Sequence, residues 1–141
     1  MRLLVTGVDG DGRGCVVGEE QLKMELAPGK RVWHATAYTE LVALARQPQR
    51  SSDFMDLQIG SGRVRWLVID YEAGAEQEMH HTDTVDLDIV LQGSIELILD
   101  DGAHLLRAGD GAVVSGVDHA WRSGAEGCRL SVMFIGTPPS S

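Results

Sequence analysis

The stretch Gly74 to Gly93, GAEQEMHHTDTVDLDIVLQG, decides how this 141-residue chain is read. Side chains alternate faces along a strand. Taken as one strand, it puts His80, Thr82, Thr84, Asp86, Asp88 and Val90 on one face. His81, Asp83, Val85, Leu87, Ile89 and Leu91 fall on the other, which is apolar from Val85 onward. The first face carries an imidazole and two carboxylates in a row. Burying it is costly unless a cation or strong hydrogen bonds compensate. A divalent metal ion is therefore expected there.

Outward from this stretch, short apolar runs alternate with turn signals. Arg63 to Tyr71 reads as a strand leading in. Beyond Gly93, Ile95 to Leu99 and His104 to Arg107 read as a hairpin about Asp100-Asp101-Gly102. Ala112 to Ser115, His119 to Arg122 and Arg129 to Ile135 follow. About seven or eight short, evenly spaced strands over residues 63–135 predict an antiparallel sandwich or barrel. Upstream, Arg2 to Thr6, Cys15 to Gly18, Lys23 to Leu26 and Arg31 to Ala37 are further short strands. Thr39 is placed to cap a helix over Glu40 to Arg46, ended by Pro48. Residues 1–62 are thus expected to be an extension of strands and one short helix packing on a barrel of residues 63–136. Residues 137–141 are expected to be a frayed tail. Gln49 to Gly62 reads as a loop.

Composition bounds the rest. The formal charge of −9 argues against nucleic acid, which needs a basic footprint. Cys15 and Cys128 form no CxxC pair, so zinc-ribbon and disulfide-framework readings fail. Neither a signal peptide nor a membrane span is legible, and the expected location is cytoplasmic.

The spacing Gly74-x5-His80-x-Thr82-x3-Asp86-x6-Gly93 is similar to the first motif of the cupins, G-x5-H-x-H-x3-4-E-x6-G. The segment Gly109 to Arg122, GDGAVVSGVDHAWR, resembles their second motif, which ends in a histidine. The likeness covers Arg63 to Ile135, half the chain. It is nearest to single-domain cupins whose first motif reads H-x-T-x-T-V-D, common near secondary-metabolite pathways. The resemblance implies an all-β, double-stranded β-helix or jelly-roll barrel with one metal inside. It carries the ligand roles onto His80, Asp86 and His119, with Thr82 in the place of the second histidine. The shared parity of His80, Thr82 and Asp86 independently favours that convergence.

Imidazole plus carboxylate with open positions suits Fe(II), Mn, Co, Ni or Zn. His81 has the wrong parity and, like Thr82, is a spare ligand candidate. Trp66, Trp121 and Thr84 are expected on the pocket wall. Asp88 is either a general base, its pKa raised by burial, or a hydrogen-bonded, inert carboxyl. Two functions follow. One is a metal-dependent lyase, isomerase, dehydratase or oxygenase acting on a small oxygen-rich molecule. The other is a ligand-binding sensor or carrier without turnover. The apolar face of Val85, Leu87, Ile89 and Leu91 must be covered from outside, by the N-terminal region or by a second subunit, so a homodimer is expected.

Overall fold

A computed structural model describes residues 1–34 and 52–139. The elements are β1 (Arg2–Val8), β2 (Gly14–Gln21), β3 (Lys23–Ala27), β4 (Lys30–His34), β5 (Asp53–Phe54) and β6 (Val64–Tyr71). They continue with β7 (Glu76–His81), β8 (Thr84–Leu99), β9 (Gly102–Arg107), β10 (Gly111–Val114) and β11 (His119–Gly136). The described residues are all-β, a curled jelly-roll sheet in the order β2-β1-β10-β8-β11-β7-β5, with β6 added to β11 and β9 to β8. The expected helix over Glu40 to Arg46 lies outside the described residues.

Several expected strands fuse. Asp86 to Leu91 and Ile95 to Leu99 belong to one 16-residue strand, β8, and His119 to Arg122 and Arg129 to Ile135 to one 18-residue strand, β11. Glycine punctuation signals a bend here rather than a turn. Gly93 and Gly127 both have positive φ, 76° and 77°, and a Cβ on Gly93 would lie 2.1 Å from the Gly127 carbonyl oxygen. The two strands bend together at this crossing, with a register shift between Ser123 and Cys128. Only residues without side chains permit that approach.

One expected fusion is instead a break. β7 ends at His81 and β8 starts at Thr84, so the chain turns at Thr82-Asp83. The even-numbered residues nevertheless keep one face across that turn: His80, Thr82, Asp86 and Asp88 all line the same cavity.

The N-terminal region is woven into the sheet rather than packed on it. β1 pairs in parallel with β10, Leu3 opposite Gly111 and Val5 opposite Val113, and β2 pairs with β1. Backbone amides of Gly14 and Val16 donate to the carboxylates of Asp100 and Asp101, so this turn anchors β2. β5 pairs in parallel with β7. The β3–β4 hairpin forms a separate two-stranded sheet with Leu26 and Trp33 exposed. The expected fraying at residue 137 is not observed: Thr137 is buried and its amide donates to the Asp83 carbonyl.

The core fills one end of the barrel. Ile95, Leu97, Leu106, Ala112 and Val117 are fully buried, and Leu4, Val90, Val114 and Leu130 nearly so. At about 25 cal/mol per Å², each such large side chain contributes roughly 1.5–3 kcal/mol. The outside of β6, β8 and β11 is different. Val64, Trp66, Val68, Ile89 and Leu91 are each at least half exposed there.

Candidate active site

At the other end of the barrel the sheet encloses a cavity of about 480 Å³. One wall is polar and carries His80 and Thr82 from the end of β7, Asp86 and Asp88 from β8, and His119 from β11. Strand alternation explains the inward set on β8: Asp86, Asp88 and Val90 are buried, while Leu87, Ile89 and Leu91 are exposed. The other walls are apolar, built by Leu67 and Ile69 of β6, Leu130, Val132 and Phe134 of β11, and Trp121. Met55 and Leu57, just beyond β5, close the side.

Pairing across the sheet sets His80 directly opposite His119. Their ring centroids are 4.3 Å apart, with planes tilted by 57°. Each Nδ1 lies within hydrogen-bonding distance of a backbone carbonyl two residues earlier: Glu78 for His80 at 2.8 Å, Val117 for His119 at 2.9 Å. A carbonyl only accepts, so Nδ1 carries the proton and Nε2 presents a lone pair on both rings. Burial pushes the pKa of His80 below its ordinary value. Burial and the His80 ring beside it push that of His119 down to about 3. Both imidazoles are neutral at physiological pH.

The carboxylates behave oppositely. Burial raises Asp86 to about 7, against the hydroxyl of Thr84, which donates to it at 2.6 Å. Asp88 is raised well above the carboxylate range by burial and by the Asp86 charge beside it. Both oxygens of Asp88 are buried without a hydrogen-bond partner. A buried polar atom left unpaired costs about 1–3 kcal/mol. The expected inert, hydrogen-bonded state of Asp88 is therefore not the one seen.

Of the expected metal ligands, His80, Asp86 and His119 all line this cavity. Among the described residues, however, no three His, Cys, Asp or Glu side chains are gathered so as to hold a metal ion. His80 stands opposite His119, whereas Asp86 stands opposite Phe134, further along β11. The imidazole pair, with both Nε2 atoms available, fits as two ligands of a first-row divalent ion; the carboxylate member of the triad does not join them.

The spare candidates are engaged elsewhere. His81 is buried on the opposite face, 2.9 Å from Asp118, and the Thr82 hydroxyl bonds that of Thr84 at 2.9 Å. Trp121 is on the wall as expected, edge-on to His119. Thr84 is buried but does not line this cavity; it links Thr82 to Asp86. Trp66 is 68% exposed on the outer face, its indole donating to Ser131, because the inward residues of β6 are the odd-numbered ones.

Spacing of the two motifs, the jelly-roll sheet and two inward histidines paired across β7 and β11 agree. The barrel is the jelly roll that the resemblance to the cupins implies. No family model matches the chain. Among curated proteins, this chain is 42% identical over 69 residues to phomopsin biosynthesis cluster protein C' of Diaporthe leptostromiformis, covering 48% of this chain and 36% of that protein. It is 38% identical over 55 residues to a cupin-domain-containing oxidoreductase of Neurospora crassa, covering 38% of this chain and 28% of the other. The chain thus spans well under half the length of these two relatives. Among solved structures, it resembles a cupin-2 domain protein from Shewanella frigidimarina at 24% identity and a TM-score of 0.45, over 50% of this chain and 68% of that one. No helix among the described residues is long and apolar enough to cross a membrane.

Proposed function

We propose that this cupin belongs to secondary metabolism and moves a proton on a largely apolar small molecule bearing an oxygen function, by isomerisation, dehydration or decarboxylation. The observation that carries the reading is Asp88: a buried carboxyl with both oxygens unpartnered, on the wall of a cavity shared with two neutral imidazoles. Burial and the neighbouring Asp86 raise its pKa well above the ordinary value, which favours the protonated form able to give a proton to a substrate oxygen. His80, with a free Nε2, is placed to accept one, while His119, its pKa held down to about 3, stays neutral beside it. The apolar walls exclude water from that exchange and orient the carbon skeleton. A divalent ion held by the two Nε2 atoms would polarise the same substrate oxygen. The cluster-encoded relative is consistent with this setting.

The test incubates the protein with a panel of aryl and alkyl β-hydroxy and β-keto acids in heavy water and follows deuterium uptake, loss of water or loss of carbon dioxide by mass spectrometry. Turnover that disappears in Asp88→Asn is expected. Stoichiometric binding of panel members without any conversion would overturn the enzymatic reading.

One observation favours a second reading, a carrier or sensor without metal: among the described residues no three-ligand group is assembled. Elemental analysis separates the two. A bound ion that is lost in His119→Ala supports the metal-assisted enzyme; metal-free protein with tight, unreactive binding supports the carrier. We also propose a homodimer that covers the outer apolar face around Trp66 and Ile89. Sedimentation showing only monomers at micromolar concentration would count against it.

A further inference from the structure

We propose that Arg65 makes the cavity selective for a carboxylate-bearing ligand whose apolar body lies along β6 and β11. The inference rests on the cavity reading above and adds the chemical class of its occupant. Register aligns successive rungs of the wall. Arg65 stands opposite Phe134, and Phe134 opposite Asp86. One rung deeper, Leu67 faces Val132 and Val132 faces Asp88; the next rung is Ile69, Leu130 and Val90. Each step is two residues, about 7 Å along the strand. Arg65 is exposed while Leu67 and Ile69 are half-buried, so the guanidinium marks the mouth and the aliphatic rungs lead inward.

Arg65 is the cation among the residues lining the cavity, in a chain of net charge −9. Among the described residues it has no ion-pair partner, whereas Arg2, Arg122 and Arg129 are each paired with a carboxylate. A guanidinium at the rim, free to grip a carboxylate with two parallel N–H bonds, recognises an anionic end group. The aliphatic rungs recognise a hydrocarbon or aryl body. Asp88, one rung in from the mouth, meets an oxygen function on that body. The ligand is an amphipathic carboxylic acid, not a sugar or a small polyol.

Calorimetric titration with octanoate and 1-octanol tests this. The two share one body and differ in end-group charge. Octanoate is expected to bind about fivefold more tightly, the worth of a partly exposed ion pair. Arg65→Met is expected to lower octanoate affinity to that of octanol and leave octanol unchanged. The octanoate preference is expected to weaken in high salt and to persist in Asp88→Asn. Equal binding of the two by the native protein, or a preference that survives Arg65→Met, overturns the assignment to Arg65 while leaving the proton-transfer reading standing. Failure of both probes to bind overturns the inference together with the cavity reading. Octanoate binding with no turnover of any panel acid supports the inference and sinks the enzymatic reading alone.

Discussion

The two halves of β8 are one strand with two fates. Before Gly93 its inward residues are Asp86, Asp88 and Val90; after it they are Ile95, Leu97 and Leu99. Both sets are buried. The second half meets Leu106 of β9 and Trp121 of β11 and closes into a packed core. The first half faces a cavity of about 480 Å³ and leaves a carboxyl without a partner. Inward alternation therefore does not distinguish core from site; what lies across the barrel does. The packed end stabilises the fold and offsets the cost of the unpartnered carboxyl at the polar end.

The sharpest way to break this contrast is to make the open half resemble the closed one. Asp88→Leu should lower turnover by roughly 100-fold or more, the usual worth of a general acid. The same change should raise unfolding free energy by roughly 1–3 kcal/mol in urea titration, because an unpaired polar group is removed. A drop in stability would mean that Asp88 is held by interactions the cavity geometry lacks. The reverse experiment is Leu97→Ala in the closed half. It should cost about 2–5 kcal/mol in the same titration while octanoate affinity stays within twofold of native.

The joint between the halves gives a third measure. Gly93→Ala places a Cβ against the Gly127 carbonyl oxygen at a backbone φ of 76°. A loss of about 1–3 kcal/mol is expected, with β8 and β11 loosening together in hydrogen exchange. Protection lost on one strand alone would show that the two bends are independent.

The smallest and most diagnostic effect is on pH. Asp86 and Asp88 titrate above their ordinary value in the folded protein, Asp86 at about 7. The native state therefore binds more protons than the unfolded one between the ordinary carboxylate pKa and these raised values. Stability from this source is full below about pH 4 and is lost as pH rises through about 7. His119, lowered to about 3, acts oppositely: its contribution grows as pH rises from about 3 to its ordinary value. Comparing native protein with the Asp86→Asn, Asp88→Asn double variant isolates the carboxylates. The melting temperature of the native protein relative to that variant should fall between about pH 4 and pH 8.

Most of the barrel is legible in the sequence because its strands carry the two-residue period and its turns carry glycine or Asp-Gly pairs. His80, His119, Asp86, Asp88 and Trp121 are likewise legible as inward residues, and all five line one cavity. Parity carries across Thr82-Asp83, where β7 gives way to β8, but it reports only a shared face; it does not bring Asp86 together with the histidines into a three-ligand group. It also leaves the face of β6 undecided, since Trp66 and Leu67 are both apolar and register with β11 settles which one turns inward. Arg65, Met55 and Leu57 reach the cavity from strands and loops distant in sequence. No local pattern marks them, because membership of a cavity is a property of pairing partners.

The parallel seam between β1 and β10 joins residues more than a hundred positions apart, Leu3 with Gly111. During synthesis the first strand of this sheet emerges long before its neighbour exists. Until that neighbour arrives, one edge of the β1–β2 hairpin must stay open to water or to a chaperone. Pairing across so long a separation makes the docking of this edge hairpin onto the sheet a slow, late step.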